Sequence, residues 1–265
     1  MGKNSLFIAT IFYIALLYPF RQLHGTEINK IYPKKESITL KVILSSCKLI
    51  KSTDDAVHID VLYSYSRDIY QAVLSDFPDS LFLEEKFFDK SPEGSSSWTI
   101  AVPEYTRLYL SSATGNISAE GVQSEMKAET GTGSVDIKNS AGIFDLKSGT
   151  GNVHGAGIRI IGNSRFMSGT GQVSITIASG SDYDITVASG TGDAILDYNG
   201  NPLKGRFEFT AKHGSGRIVS AVDFEIQEIV SDEHFRYDRK SFKVDDRNTP
   251  RIRIESGDGR AMLFQ

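Results

Sequence analysis

Two carboxylates, Glu129 and Asp145, are the side chains of this sequence whose type best suits cleavage of a polysaccharide. Hydrolysis of a glycosidic bond needs a pair of carboxyl groups held in a pocket with separated pKa values. In the repeat described below, Lys127 and Arg165 fall beside Asp145, and Lys147 falls beside Glu129. Opposite charges on neighbouring strands are ordinary surface pairs. We therefore predict no catalytic residue, and the alternative is a carbohydrate-active lyase or hydrolase.

Metal and cofactor sites are not predicted either. Zinc needs three or four convergent ligands, and His154 and His213 fall at different positions of the repeat. Asp193, in Gly-Thr-Gly-Asp, resembles calcium-binding glycine-rich repeats, but those repeats need the aspartate in successive coils. No glycine phrase fits a P-loop or a dinucleotide fingerprint. The sequence thus predicts no metal and no cofactor.

Composition and the first residues indicate an exported globular protein. The chain has 265 residues with 40% hydrophobic residues and a net charge of −4, so nucleic acid is not an expected partner. Lys3 and the apolar run Leu6–Phe20 are typical of a signal peptide and short for a membrane-spanning helix. We predict a signal peptide at residues 1–25 and a location in the periplasm, the cell envelope or outside the cell. The alternative is an uncleaved N-terminal segment that contacts the membrane.

A short phrase, Gly-x-Gly, recurs along the second half of the chain at intervals of about twenty residues, with one interval about twice as long. Its second glycine, used here as a marker, occurs at Gly133, Gly151, Gly171, Gly192, Gly216 and Gly259, and Gly115 of Ala113-Thr114-Gly115 holds the same position in a copy whose first glycine is replaced by alanine. Positions seven and five before the marker are apolar, apart from Ser164, while position six before it is mostly polar. Position two after the marker is apolar in every copy. Alternation with a period of two predicts strands with one buried face.

The repeat predicts how these strands are connected. We expect the two glycines to turn the chain because glycine tolerates a positive φ. We also expect the threonine between them to form a ladder along that corner. Since no single unit could bury its apolar face, stacked units must share one core.

The predicted fold is all-β: a parallel β-solenoid (β-helix) of about seven to eight coils with a β-rich N-terminal cap. The solenoid domain is expected at residues 98–265 and the cap region at 26–97. Strands are predicted at 38–44 and 57–65. Residues 223–251 are expected to form a degenerate coil with a protruding loop. Residues 252–263 are expected to close the stack. Cys47 is the only cysteine, so no intrachain disulfide is possible, and we expect it to be an ordinary strand residue.

The motifs Val102-Pro103 and Thr114-Gly115-Asn116-Ile117, with the repeated Ser-Gly-Thr-Gly-Asn-Val-like turns, resemble a bacterial family. It is the putative-adhesin β-strand-repeat family, a domain of unknown function similar to the head GIN domains of putative autotransporter adhesins. The resemblance covers residues 98–265. It implies an exported or membrane-associated protein, and it brings no established catalytic motif.

The function predicted from the sequence is that of an exported, non-enzymatic structural or interaction protein. A solenoid of this kind presents a rigid, strand-lined surface, here to a cell-surface glycan or protein. The polar column six residues before the marker faces outward in this prediction. We expect its members Tyr109, Lys127 and Arg165 to be the contact residues, because tyrosine offers an apolar face with a polar tip and the other two supply charge.

Overall fold

The structure, a computed structural model, describes residues 25–232, 234–245 and 248–265. Regular structure in these ranges consists of β-strands without helix, which confirms the predicted all-β class. Residues 1–24, and with them nearly all of the predicted signal peptide, lie outside the described residues. The described residues contain no helix that is long and apolar enough to cross a membrane.

The strands are short and follow one another closely along the chain. The first seven are β1 (Thr26–Pro33), β2 (Ser37–Val42), β3 (Ser46–Lys51), β4 (Ala56–Tyr63), β5 (Tyr70–Asp76), β6 (Ser80–Phe87) and β7 (Ser96–Val102). The next ten are β8 (Arg107–Ser112), β9 (Ile117–Glu120), β10 (Gln123–Thr130), β11 (Val135–Lys138), β12 (Ala141–Ser148), β13 (Val153–Ile160), β14 (Ser164–Ser168), β15 (Val173–Ile177), β16 (Ile185–Ser189) and β17 (Ala194–Asp197). The last six are β18 (Gly205–Lys212), β19 (Arg217–Ser220), β20 (Ile226–Ser231), β21 (Arg236–Val244), β22 (Arg251–Ser256) and β23 (Arg260–Phe264).

Alternate strands in the middle of the chain pair with one another in parallel. The front series contains β8, β10, β12, β14 and β16. The back series contains β9, β11, β13, β15 and β17. Each strand therefore pairs with the strand two places along the chain. We call one front strand, the corner after it and the next back strand a layer.

The core lies between the two series and is built by the predicted apolar columns. Leu146 pairs in register with Ala128 and Phe166 on the adjacent layers, and all three side chains are fully buried. Burial of such a side chain contributes about 1.5–3 kcal/mol. Ser164, the polar exception, is buried as well: its hydroxyl accepts the N–H of Phe144 and donates to the carbonyl of Gly162. The predicted register is confirmed in these layers.

The Gly-x-Gly corners need glycine for a reason other than the predicted one. Among the glycines of these phrases, Gly214 lies in the left-handed region (φ 87°) and the marker glycines do not, so the expectation of a positive φ holds at that one corner and is wrong at the others. A Cβ on Gly151 would instead lie 2.1 Å from the carbonyl oxygen of Gly133, and a Cβ on Gly133 would lie 2.2 Å from that of Gly115. Adjacent corners are in direct backbone contact, and only glycine leaves room for that approach.

A buried hydroxyl in every marked corner but that of Gly216 ties one layer to the next. Thr130 Oγ1 donates to the carbonyl of Gly115 on the preceding layer (2.9 Å) and accepts the N–H of its own marker, Gly133 (3.2 Å). The same position is occupied by a buried serine in five further layers: Ser112, Ser148, Ser168, Ser189 and Ser256. The predicted threonine ladder lies outside it, where Thr170 Oγ1 donates to the carbonyl of Thr150 and Thr191 Oγ1 to that of Thr170.

Two layers are out of sequence order. β22 pairs with β16 on one side and β18 on the other, and β23 likewise lies between β17 and β19. The expectation that residues 252–263 close the stack was therefore wrong. At the opposite end, β2 lies between β6 and β8, and β3 between β7 and β9. At both ends, a layer from the periphery of the chain is inserted inside the stack.

The layer of Gly216 has a longer corner than the other layers. Phe209 pairs with Ile254 and Arg217 pairs with Arg260, so 217 − 209 = 8 residues correspond to 260 − 254 = 6. The columns predicted before this marker are consequently shifted by two residues. A corner of regular length can stack on the corner of its neighbour. This explains why residues 251–264, with a regular corner, lie inside the stack, and why the layer with the longer corner lies at its end.

Antiparallel strands cover the exposed edges of the stack. At the N-terminal end they cover both series, and at the opposite end they cover the front series. β5 pairs with β6, β4 with β7, and β1 with β4. β21 pairs with β18, and β20 with β21. The expectation of a degenerate coil at residues 223–251 was wrong, because these residues form that antiparallel pair. Such strands protect the edges of the stack from pairing with other chains.

A buried carboxylate replaces a missing corner near the N-terminal end. Glu85 Oε2 accepts the N–H groups of Ile43 (2.7 Å), Leu44 (3.0 Å) and Ser45 (3.3 Å). Its Oε1 accepts the hydroxyls of Ser45 and Ser96. In the regular layers, carbonyl oxygens of the adjacent layer accept the N–H groups equivalent to those of Ile43 and Leu44, and the buried corner hydroxyl accepts the one equivalent to that of Ser45. Glu85 thus accepts hydrogen bonds from donors that burial would otherwise leave unpaired. Each donor left unpaired would destabilise the fold by about 1–3 kcal/mol.

The corner contact predicts the effect of one added methyl group. Gly151→Ala should lower the free energy of unfolding by about 1–3 kcal/mol, because the two layers must move apart to admit the Cβ. Thr150→Ala, in the same corner, should change it much less, since that side chain is exposed. Chemical denaturation of both variants is the measurement. Equal midpoints would contradict the close approach.

The inserted layer predicts a pH-dependent contribution to stability. A hydrogen bond from the Arg260 guanidinium to Asp193 (Nη2 to Oδ2, 2.6 Å) holds the pKa of that carboxyl below its usual range. A depressed pKa stabilises the fold above the unfolded value of about 3.9 and ceases to do so as pH falls through the folded pKa. Asp193→Asn should therefore melt below wild type at neutral pH, and the difference should shrink towards about pH 3.

Asp136→Asn is the control for this measurement, because it removes a back-series carboxylate that has no ion pair among the described residues. Its melting temperature should track that of wild type at every pH. A difference for Asp193→Asn that stays constant with pH would mean that Arg260 does not lie beside Asp193, and that the inserted layer is misplaced.

Candidate functional site

A continuous row of outward side chains crosses the front series. Its members pair in register from layer to layer: Tyr109, Lys127, Asp145, Arg165, Thr186, Arg253 and Glu208. We call it the outer row. Consecutive members are about 4.8 Å apart along the stack, the spacing of hydrogen-bonded strands. Glu208, not the predicted Thr210, completes the row because of the longer corner in that layer.

The outer row, apart from Glu208, lines an open groove of about 420 Å³ on the front series. Tyr109, Lys127 and Arg165, the three predicted contact residues, all lie along it. Its other wall is formed by residues two positions earlier in the chain, on the same strand or directly before it: Glu125, Ile143, Asn163 and Asp184. The structure therefore brings the predicted residues together on one surface. That they contact a ligand stays a prediction.

Apolar area in the groove is concentrated at two side chains. Tyr109 and Ile143 each expose 38% of their surface. Tyr109 lines one end of the groove, next to Lys127. An aromatic face beside charged groups can stack on an apolar ring face while its hydroxyl remains hydrated.

The charges of the groove are only partly paired. Lys147 Nζ lies 3.4 Å from Asp145 Oδ2, and Arg253 Nε lies 3.5 Å from Glu208 Oε2. Among the described residues, no carboxylate lies within 4.0 Å of the charged groups of Lys127 or Arg165. These two cations are exposed, so they can accept an anionic partner without breaking an ion pair.

The two carboxylates considered for catalysis lie on adjacent strands, at positions two residues apart in register. Glu129 pairs in register with Lys147, and Asp145 with Lys127, as the repeat predicts. The ion pair of Lys147 is made with Asp145 on its own strand and not with Glu129. Asp145 Oδ1 is out of contact with solvent and has no hydrogen-bond partner in the described part of the chain. Of the two carboxylates, Asp145 lines the groove and Glu129 does not.

Other candidate groups lie outside the groove. His58 contacts Asp54 and His213 contacts Asp238, in separate parts of the fold. In residues 25–232, 234–245 and 248–265, no three His, Cys, Asp or Glu side chains converge as metal ligands do. Burial in β3 raises the pKa of the Cys47 thiol to about 12, which makes it a poor nucleophile.

A second depression, of about 690 Å³, lies where the β20–β21 pair meets the front series. Met167 and Ala188 form part of its floor, and Tyr237 and Arg239 line its other side. Sequence reasoning missed it, because it depends on where an antiparallel pair without the glycine marker docks. The outer row, by contrast, follows from the repeat alone as far as Thr186, while the place of Arg253 and the identity of Glu208 depend on the inserted layer and the longer corner.

Comparison with known proteins finds similarity only at the level of structure. No protein-family model and no curated protein sequence matches the chain. The solved structures similar to it include bacterial proteins described as putative adhesins. The family that the repeats resemble has the same description.

Three of these structures illustrate the degree of similarity. A putative cell adhesion protein from Clostridium sporogenes is 14% identical, with a TM-score of 0.40, over 91% of this chain and 99% of that one. A putative adhesin from Bacteroides fragilis is 12% identical, with a TM-score of 0.41, over 90% and 96%. A putative lipid binding protein from Parabacteroides distasonis is 12% identical, with a TM-score of 0.36, over 91% and 98%.

Proposed function

We propose that this chain is a parallel β-solenoid whose front face is a rigid, non-enzymatic binding surface for a glycan outside the cytoplasm. The proposed solenoid has nine coils, in the spatial order β6–β7, β2–β3, β8–β9, β10–β11, β12–β13, β14–β15, β16–β17, β22–β23 and β18–β19. The glycine marker alone suggests seven to eight. Two of the nine coils precede the first marker, and antiparallel strands from residues 26–97 cap that end.

One observation carries the functional part of the proposal: the outer row forms a single groove that runs across successive layers. Its floor is hydrogen-bonded strand backbone over a closely packed core, so its side chains are attached to a rigid support. A chain-like ligand lying along the row would meet a similar set of polar groups in each layer. Many weak contacts in series suit an extended polymer better than a compact small molecule.

The absence of catalysis is part of the proposal. Asp145 is engaged by Lys147, and cations occupy the adjacent positions of the row. A general acid for glycoside cleavage must instead hold its proton at working pH, which needs an apolar or acidic environment. The unpartnered Oδ1 of Asp145 is the one feature that favours the enzyme alternative, and the experiment below tests it directly.

A binding and turnover assay distinguishes the two functions. The purified protein is incubated with a panel of acidic and neutral polysaccharides and peptidoglycan, and both retention and newly formed chain ends are measured. We expect retention without cleavage, weakened several-fold by Tyr109→Ala. Tyr105→Ala is the matched control, since Tyr105 is exposed outside the groove. Cleavage that disappears in Asp145→Ala would establish the enzyme, and retention of no polymer would refute the binding surface.

The export part of the proposal is supported by the apolar run Leu6–Phe20 behind Lys3. The protein isolated from its native cells should begin near Thr26 and be found in the periplasm, the cell envelope or the medium. N-terminal sequencing combined with cell fractionation measures both. Recovery of an intact Met1 in the soluble cytoplasmic fraction would contradict export.

A further inference from the structure

We infer that the groove binds a linear, β-linked acidic polysaccharide that carries one carboxylate on every second sugar. This inference rests on the proposed function and specifies its ligand. It is derived from the spacing and sign of the charges in the outer row, together with the order of the layers.

Cations occupy every second position of the outer row. Lys127, Arg165 and Arg253 are separated by Asp145 and by Thr186, each pair being two layers apart. Two layer spacings amount to roughly 10 Å. A sugar ring adds about the length of one layer to an extended β-linked chain, so a disaccharide spans two layers. A polymer with one acidic group per disaccharide would therefore match the three cations in register.

The third cation depends on the inserted layer. Thr186 pairs with Arg253 because β22 lies between β16 and β18. The insertion thus places Arg253 beside Thr186 and extends the alternating pattern to a third site, where Arg253 also lies 3.5 Å from Glu208 on the next layer.

The positions between the cations favour a neutral sugar. A carboxylate on the intervening ring would lie near Asp145 in one layer and, in the other, near Thr186 and the carboxylate of Asp184 on the opposite wall of the groove. Repulsion by Asp145 disfavours polymers that carry a charge on every sugar. Complementary charges at the alternate positions add long-range attraction that salt weakens. The row therefore selects for a charge period and not for negative charge in general.

The test compares hexasaccharides of equal length on the full-length protein by titration calorimetry at low and high salt. The probes are a hyaluronan hexasaccharide, a β-linked mannuronate hexasaccharide with a carboxylate on every ring, and a neutral chitin hexasaccharide. We expect hyaluronan to bind about tenfold more tightly than either of the others, and the advantage to shrink at high salt.

Two variants and a control locate the effect. Arg165→Ala removes the central cation and should weaken hyaluronan binding by about tenfold. Lys138→Ala removes an exposed charge from the back series and should leave the affinity unchanged, which excludes a general effect of net charge. Asp145→Asn should improve mannuronate binding relative to hyaluronan, because it removes the repulsion between alternate sites.

The outcomes separate this inference from the broader proposal. Equal affinity for hyaluronan and mannuronate, or equal losses in Arg165→Ala and Lys138→Ala, would overturn the charge-period inference. Preference for the neutral hexasaccharide would overturn it too, while leaving a glycan-binding surface in place. If the protein binds none of the three probes and no polysaccharide of the broader panel, the proposed function itself fails.

Discussion

The contact between backbone groups of adjacent Gly-x-Gly corners is the constraint on which the rest of the structure depends. A glycine Cα approaches the carbonyl of the preceding layer so closely that a Cβ at Gly151 would be 2.1 Å from an oxygen. The buried hydroxyl of Ser148 bridges the same two layers, donating to the carbonyl of Gly133 and accepting the N–H of Gly151. Because the corners cannot move apart or slide, the register of both series is set by them. Apolar side chains such as Leu146 then meet their equivalents above and below.

This constraint is also what gives the outer row its regular geometry. Side chains on strands held in register repeat at the strand spacing, so a change of residue type along the chain becomes a spatial pattern of charge. Lys127 and Arg165 stand at alternate positions of that pattern without ion-pair partners among the described residues. Salt and pH would alter the occupancy of such a surface without altering its shape. A rigid support of this kind lowers the entropic cost of holding a polymer in an extended form.

Much of the repeat could be predicted from sequence, since position within each unit reports the direction of each side chain. The burial of Leu146 and the alignment of Tyr109, Lys127 and Arg165 follow from a period of two and a fixed corner. The reason for the glycines did not follow, because a turn with positive φ and a close backbone contact leave the same letter in the sequence.

Features that join distant parts of the chain escaped prediction for a related reason. Glu85 replaces a corner that has no marker, and its role appears only when β6 lies beside β2. The two inserted layers have further consequences for how such a chain can evolve. Duplication or deletion of a unit at either inserted layer would disrupt the pairing of that layer with both of its neighbours, such as the pairing of β22 with β16 and with β18. Units between β8 and β17, in contrast, are joined to their neighbours in chain order and can be gained or lost without that penalty. Growth of the stack over evolutionary time should therefore occur from its centre, with the two ends kept as fixed terminal structures.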